Sequence, residues 1–454
     1  MRKIPESDKM GIMGKAKLSS DPYKGVRDFY PEEMRLQNHI LDVMRKVAES
    51  FGYEEYGASV LEPADLYRAK SGEEIVKEQT YTFKDRGERE VTLRPEMTPT
   101  LARMVAAKRK SLFFPLRWYS IPNLFRYEQP QKGRLREHWQ LNADIFGIAG
   151  IEAETEVISL ASAILGKFGL KPSQFEIRIN NRKIIDYIFR DLYKLGGAET
   201  DALISIVDKR AKISPESLEK RVSEFLGDKT SEFLTLIGSK NFEEFIAALP
   251  QDENIGRALD ELKDLTARLE RLGITNVIFD QSLVRGFDYY TGIVFEIFDT
   301  DLDNRRSLFG GGRYDRLLES FGAETSPAVG FGMGDVTIRE TLKTHNLIPK
   351  YRSLTDLYIC VMEKEYLGYA MDLAEKLRGE NLAVALDYSF KKVGDQVKYA
   401  DRKNIPFVIC IGEKEASGEQ LKVKELSTGV ETVTDEEKLS DFLKKMREVR
   451  NKKE

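Results

Sequence analysis

Residues 116–128, LRWYSIPNLFRYE, and 138–147, HWQLNADIFG, are two runs rich in aromatic and β-branched side chains. The stretch between them, centred on QPQKGRLR, is charged and carries Pro130 and Gly133. Two strand-like runs around such a turn predict a long antiparallel hairpin. Strand alternation puts Arg126 and Glu128 on one face of the first run, and Gln140, Asn142 and Asp144 on one face of the second, with Leu141, Ala143 and Ile145 opposite. A face with an arginine, two carboxylates and an amide either meets water or lines a pocket. The basic, glycine-containing connection favours the pocket.

Outward from the hairpin, Leu36, Ile40, Val43, Val47 and Phe51 recur at helical spacing between Pro31 and Gly52, which predicts an amphipathic helix. In LRPEMTPT, Glu96 and Thr98 stand between Pro95 and Pro99, a helix-start pattern that also presents an acceptor and a hydroxyl on a stiff backbone. From about 178 to 273 the pattern is helical, with Ile185, Ile188, Leu192 and Leu195, then Leu259, Leu262, Leu269 and Leu272, and with Gly196 and Gly273 as stops. Strand signals return in GIVFEIF (292–298) and AVGFGMG (328–334), so the helical stretch reads as an insertion into a sheet-based domain. In LVRGFDYYTG, Tyr289 and Tyr290 are expected on opposite sides of an extended chain. The glycines of GGGRYD (310–315) and GFGMG (330–334) lack the spacing of a dinucleotide loop or P-loop and suit close approach of a flat ligand or another backbone. After a linker near 346–354, alternating strands and helices (DLYICVM, LAVALD, PFVICIG between helical runs) predict a small, mostly parallel α/β domain.

The chain has 454 residues, enough for two to four domains, and its 41% apolar content is that of a folded protein. Lys plus Arg 71 against Asp plus Glu 75 leaves −4, so no partner is implied by overall charge. Only Cys360 and Cys410 are present, excluding a disulfide framework or Cys-rich zinc site and leaving both as small buried hydrophobes. His39, His138 and His345 are too scattered for a His-based zinc site. No apolar run reaches the roughly 18 to 20 residues of a membrane span. Residues 1–20 read as a flexible tail without a signal peptide, which places the protein in the cytoplasm. Spacing suggests no Ser-His-Asp or Cys-His arrangement, so chemistry rests on placed charge.

The strings FRYEQPQKGRLREHWQ, LVRGFDYYTG and GGRYD, in that order, resemble the histidyl-tRNA synthetase family of class II aminoacyl-tRNA synthetases, from PYKGVRDFYP (22–31) to the last domain. The resemblance implies an α+β catalytic domain on an antiparallel sheet (21–177 and 274–346), a helical insertion (178–273) and an anticodon-binding α/β domain (352–454). It implies ligation of L-histidine to its tRNA through a histidyl-adenylate, with ATP and Mg2+ as co-substrate, no organic cofactor or structural zinc, and a homodimer. By the same resemblance Arg126 holds the α-phosphate, Glu128 reads adenine, and Lys132, Arg134 and Arg136 lie in the loop that meets ATP and the tRNA end. Glu96, Thr98 and Gln140 match an ammonium-binding set, Asp144 and Tyr290 a pair on the imidazole nitrogens, Tyr314 a pocket wall, and Arg285 a cation beside carboxylate and α-phosphate. Lys391, Lys398 and Arg402 recur at seven and four residues as a basic stripe for tRNA phosphates, with Lys392 and Lys403 beside it.

Three positions depart from the family pattern. Asp144 stands where many members have Glu, and His138 where a Phe stacks on adenine. GFGMG is followed by Asp335, Val336 and Thr337 instead of Glu-Arg, with Arg339 or Arg134 as stand-ins for the missing arginine. That loss suits a rival reading, the non-catalytic regulatory subunit of ATP phosphoribosyltransferase, whereas LVRGFDYYTG and the C-terminal domain favour the ligase.

Overall fold

The computed structural model describes residues 18–451 except 69–78, 132, 209, 211–212, 240, 251, 284–288, 302–303, 305 and 419. The described residues form two compact units, divided between Ile348 and Pro349. The strands of the first are β1 (Glu54–Glu55), β2 (Leu61–Pro63), β3 (Tyr81–Lys84), β4 (Glu90–Leu93), β5 (Leu116–Ser120), β6 (Asn123–Phe125), β7 (Glu137–Phe146), β8 (Phe175–Asn181), β9 (Val277–Phe279), β10 (Ile293–Asp299), β11 (Ser307–Arg313) and β12 (Ala328–Gly334). Nine make one sheet in the order β1-β5-β7-β12-β11-β10-β8-β9, with β6 also on β7. Its pairs are antiparallel except at the ends, where β1–β5 and β8–β9 run parallel.

The hairpin forms with its first arm broken at Ile121–Pro122, since proline has no N–H for the ladder. Register survives the break: Ser120 opposes Asn142, Asn123 opposes Trp139, and the Pro122 carbonyl accepts the Gln140 N–H at 3.0 Å. The expectation that Arg126 and Glu128 share a strand face does not hold. β6 ends at Phe125, and beyond it the Glu128 N–H donates to the Arg126 carbonyl at 2.7 Å, a local turn.

The two sheet faces differ sharply. Leu141, Ala143 and Ile145 of β7 and Val329, Phe331 and Met333 of β12 are buried in the main core, against the Glu152–Lys167 helix. On that side Arg313 closes β11 with a bidentate pair to Glu154, Nε to Oε1 and Nη2 to Oε2 both at 2.6 Å. Both residues are buried, so the pairing is what makes their charges tolerable. The opposite face is nearly bare: register puts Gly310 and Gly312 of β11 and Gly330, Gly332 and Gly334 of β12 beside Gln140, Asn142 and Asp144.

The helical run starts later than predicted. Residues 178–181 belong to β8, whose alternating burial pairs it with β10, and helix begins at Arg182, where the Asn181 side chain accepts the Lys183 N–H at 3.1 Å. Phe189, Phe233, Phe245 and Leu262 of the helical stretch belong to the same core cluster as Ile179 and Phe295. Leu272, placed on the apolar stripe by spacing, is 61% exposed, because the helix ends at Arg271 and the chain turns at Gly273, φ +81°.

The second unit holds β13 (Leu357–Val361), β14 (Val384–Leu386), β15 (Phe407–Ile411), β16 (Leu421–Glu425) and β17 (Glu431–Thr434), in the order β14-β13-β15-β16-β17. The three predicted strands are parallel. The antiparallel pair β16–β17 and the helix Glu436–Asn451 complete a mostly parallel sheet with covering helices.

Candidate active site

The glycine face is where the polar residues converge. A Cβ at Gly330 would collide with the Asp144 carboxylate, and one at Gly332 would come 2.8 Å from Gln140 Cδ, so bare backbone makes room for these side chains. Asp144 is 3% exposed and accepts the Tyr314 hydroxyl at 2.5 Å. Burial lifts its pKa from 3.8 to about 7, against the opposing pull of that hydrogen bond. Tyr314, expected as a wall, therefore reaches the carboxylate directly. It follows β11 by one residue and so points to the face opposite Arg313.

Glu96 is buried two residues before the helix Thr98–Lys108, and its Oε2 accepts the Tyr289 hydroxyl at 3.2 Å. Tyr289 and Tyr290 do not diverge as an extended chain requires: the strand starts only at Ile293, and their rings meet edge to face at 5.1 Å. The Tyr289 ring also lies 5.7 Å from that of Tyr314. Burial raises the Tyr290 phenol well above its usual range, with the Glu96, Asp144 and Glu296 carboxylates adding to the rise. Two buried carboxylates and three tyrosines thus share one small space, a setting that selects a cation or a donor-rich ring.

Tyr314→Phe should push the Asp144 pKa further above 7, since the hydroxyl is what opposes burial. The rise of thermal stability on acidification would then begin at higher pH than in the parent, which a melting series across pH 5–9 reads.

At the hairpin end, Arg126 donates Nε to the Pro95 carbonyl at 2.9 Å. His138 is half-buried, and burial with the Arg126 and Arg27 charges pulls its pKa to about 3, leaving a neutral ring. Arg134 is exposed and 3.4 Å from Glu128 Oε2. Arg136 is nearly buried: Nε donates to the Glu128 carbonyl at 3.1 Å and Nη1 to the Tyr23 hydroxyl at 3.0 Å, while its guanidinium lies 4.0 Å over the Tyr127 ring. Lys132 and Arg285 lie outside the described residues.

Arg339 does not serve this space. Its Nη2 donates to Gln37 Oε1 of the first helix, Pro31–Ser50, at 3.0 Å, and its guanidinium sits 5.7 Å over Phe29. Thr337 is spent on the Leu308 and Gly334 carbonyls. Asp335 is fully buried, accepting the Trp139 N–H at 2.9 Å and Arg27 Nη2 at 2.8 Å. No spacing rule pointed to Arg27, since its partner is 308 residues away.

In the second unit the helix carrying the basic stripe begins at Val393, so Lys398 and Arg402 lie on it while Lys391 and Lys392 precede it. All four are exposed, and Tyr388, Phe390 and Tyr399 stand exposed among them. Those aromatics were absent from the sequence reading, although bases stack on such rings.

A mainly antiparallel sheet with a glycine-floored face that holds Asp144, a second buried carboxylate at Glu96 and an arginine at the hairpin end defines the catalytic body of a class II aminoacyl-tRNA synthetase. The histidyl-tRNA synthetase family model matches residues 25–336, and an anticodon-binding domain model matches 356–446. The chain belongs to the histidyl-tRNA synthetase family. It is 42% identical over 421 residues to the histidine–tRNA ligase of Leptospira biflexa, covering 92% of this chain and 95% of that one. To the ligase of Thermoplasma volcanium it is 38% identical over 424 residues, 93% and 98% of the two chains. The crystal structure of histidyl-tRNA synthetase from a Nostoc species shares the fold, with TM-score 0.80 at 22% identity over 95% of this chain and all of that one. A Bacillus halodurans structure described as an ATP phosphoribosyltransferase regulatory subunit/histidyl-tRNA synthetase gives TM-score 0.73 at 26% identity, covering 88% and 100%.

Proposed function

We propose that the chain joins L-histidine to ATP as histidyl-adenylate, with release of pyrophosphate, and passes the histidyl group to its tRNA. The observation that carries this reading is a buried Asp144 on the glycine face, bonded to Tyr314, with a second buried carboxylate, Glu96, bonded to the adjoining Tyr289, in a chain of this family. Glu96, with Thr98 and Gln140, offers the acceptors an ammonium needs, and Asp144 with Tyr290 offers two different partners for the imidazole nitrogens. Polar recognition of that kind rejects side chains lacking the matched groups by about 10⁴-fold or more without editing.

At the other end Arg126 holds the α-phosphate, the neutral His138 ring stacks on adenine, and Glu128 accepts from the adenine amino group. Arg136 acts mainly by fixing the backbone at Glu128, while Arg134 and Lys132 supply charge toward ATP and the tRNA end and Arg285 a cation beside the carboxylate and α-phosphate. Among the described residues no cluster of three His, Cys, Asp or Glu side chains can cage a metal. Magnesium would arrive with the ATP phosphates, as that ion commonly does. The protein works as a cytoplasmic homodimer joined through the first helix, whose start leaves Tyr30 and Met34 exposed. Residues 21–177 with 274–346, 178–273 and 352–454 serve as catalytic, inserted and anticodon-binding domains, except that 178–181 stay with the catalytic sheet as the end of β8. The match over 356–446 favours this reading over a regulatory subunit.

The test is pyrophosphate exchange with each of the twenty amino acids in turn. Histidine alone should support exchange, and efficient tRNA charging with any other would sink the proposal. Charge reversal of Lys391, Lys398 and Arg402 should weaken tRNA binding and flatten its salt dependence, each lost phosphate contact removing about 0.9 from the logarithmic slope. Exchange without tRNA should be unchanged. An unaltered slope would make these residues a solvated surface only.

A further inference from the structure

Cys360 and Cys410 are 50 positions apart in sequence, yet β13 and β15 place them directly opposite each other in a parallel pair. Leu357, Ile359 and Val361 alternate with Phe407, Ile409 and Ile411 into the main core of this unit. Tyr358 and Cys360, with Val408 and Cys410, take the other face, beneath Val397 and Ala400 of the helix Val393–Arg402. Adjacent strands lie about 4.8 Å apart, inside the Cα separation of about 4.4–6.8 Å that a disulfide spans. Both thiols are free, Cys360 fully buried and Cys410 partly exposed.

We propose that Cys360 and Cys410 are a redox modification site, closing to a reversible intrachain disulfide by exchange with a small-molecule disulfide of the glutathione type. Cys410 is the entry point because it is the less buried of the two. The adjacency of the two thiols supports the same order: Cys360 lowers the Cys410 pKa, against burial and the Glu415 and Glu431 charges, while Cys410 raises that of Cys360. The Cys410 thiolate attacks one sulfur of the external disulfide, whose S–S bond breaks, and the departing thiolate takes up a proton. Cys360 then gives up its proton and attacks the Cys410 sulfur of the mixed disulfide, forming the protein S–S bond and expelling the second small thiol. Two protein thiols are oxidised and one external disulfide is reduced to two thiols. The bond would lie under the helix that presents Lys398 and Arg402, so oxidation marks the unit that carries the basic residues.

The experiment is intact-mass analysis of the reduced full chain after incubation with oxidised glutathione. The expected product has lost two hydrogens, carries no glutathione, yields one linked peptide pair containing Cys360 and Cys410, and reverts with dithiothreitol. Cys360→Ser should stop at a glutathione adduct on Cys410, and Cys410→Ser should stay unmodified while the fold is intact. A persistent adduct on the parent chain, no reaction at all, or equal reactivity of Cys410→Ser would each overturn the proposal, and the parent-chain result decides even if a variant misfolds.

Discussion

Arg126→Ala should lower histidine-dependent pyrophosphate exchange by about 10²–10³-fold, the scale for losing one preorganised charge at a developing oxyanion. The Nε bond to the Pro95 carbonyl ties this guanidinium to the turn that also carries Glu96, so it is set in place before substrate arrives. A cation fixed beforehand needs no reorganisation as the carboxylate of histidine attacks phosphorus, and that is why its removal should act on the rate more than on ATP affinity. Arg126→Lys should recover only part of the loss, because a lysine cannot both keep the Pro95 contact and present a planar fork to phosphate. Exchange within a few-fold of the parent in Arg126→Ala would assign the side chain to holding the Pro95 turn.

Asp144→Asn should stabilise the ligand-free protein above neutral pH while weakening histidine binding. The folded pKa of about 7 lies above the ordinary 3.8, so ionising Asp144 opposes folding. That penalty is absent below about pH 4, grows as pH rises toward 7, and is complete above it, amounting to about 4 kcal/mol at about 1.36 kcal/mol per unit. The amide carries no such charge and can still accept the Tyr314 hydroxyl. Melting temperatures of parent and variant should therefore coincide near pH 4 and separate at pH 8 in favour of the variant. In return, the histidine Michaelis constant should rise about 10- to 100-fold, since losing a buried polar partner costs about 1–3 kcal/mol, with little change for ATP. A variant no more stable than the parent at pH 8 would show that Asp144 does not pay an ionisation cost in the folded chain.

Both predictions join a residue legible in the sequence to a setting that was not. Period two along 138–147 placed Asp144 with Gln140 and away from Ala143, and the structure keeps that division: Ala143 is in the core and Asp144 faces the glycines. Period two is local, set by the pleat of one strand, and needs no knowledge of neighbours. The same locality explains why the hairpin, the strand over 328–334 and the parallel strands of the last hundred residues were readable. It explains the errors as well: near Tyr289 and near residues 178–181, periodicity was extended across a boundary that strand pairing moved.

What the sequence determined by itself was the alternation of faces, the order of elements and, through three short strings, the family. What only the tertiary structure decided was which side chain meets which. Tyr314 meets Asp144 and Tyr289 meets Glu96 across 170 and 193 residues of chain, Arg27 finds Asp335 across 308, and Arg339 turns to the first helix. Such pairings depend on how sheet and helix stack after collapse, and no spacing rule carries that information. The pKa of Asp144 belongs with them, because it is the burial of the finished pocket, absent from any local stretch of chain, that holds the carboxyl near neutrality.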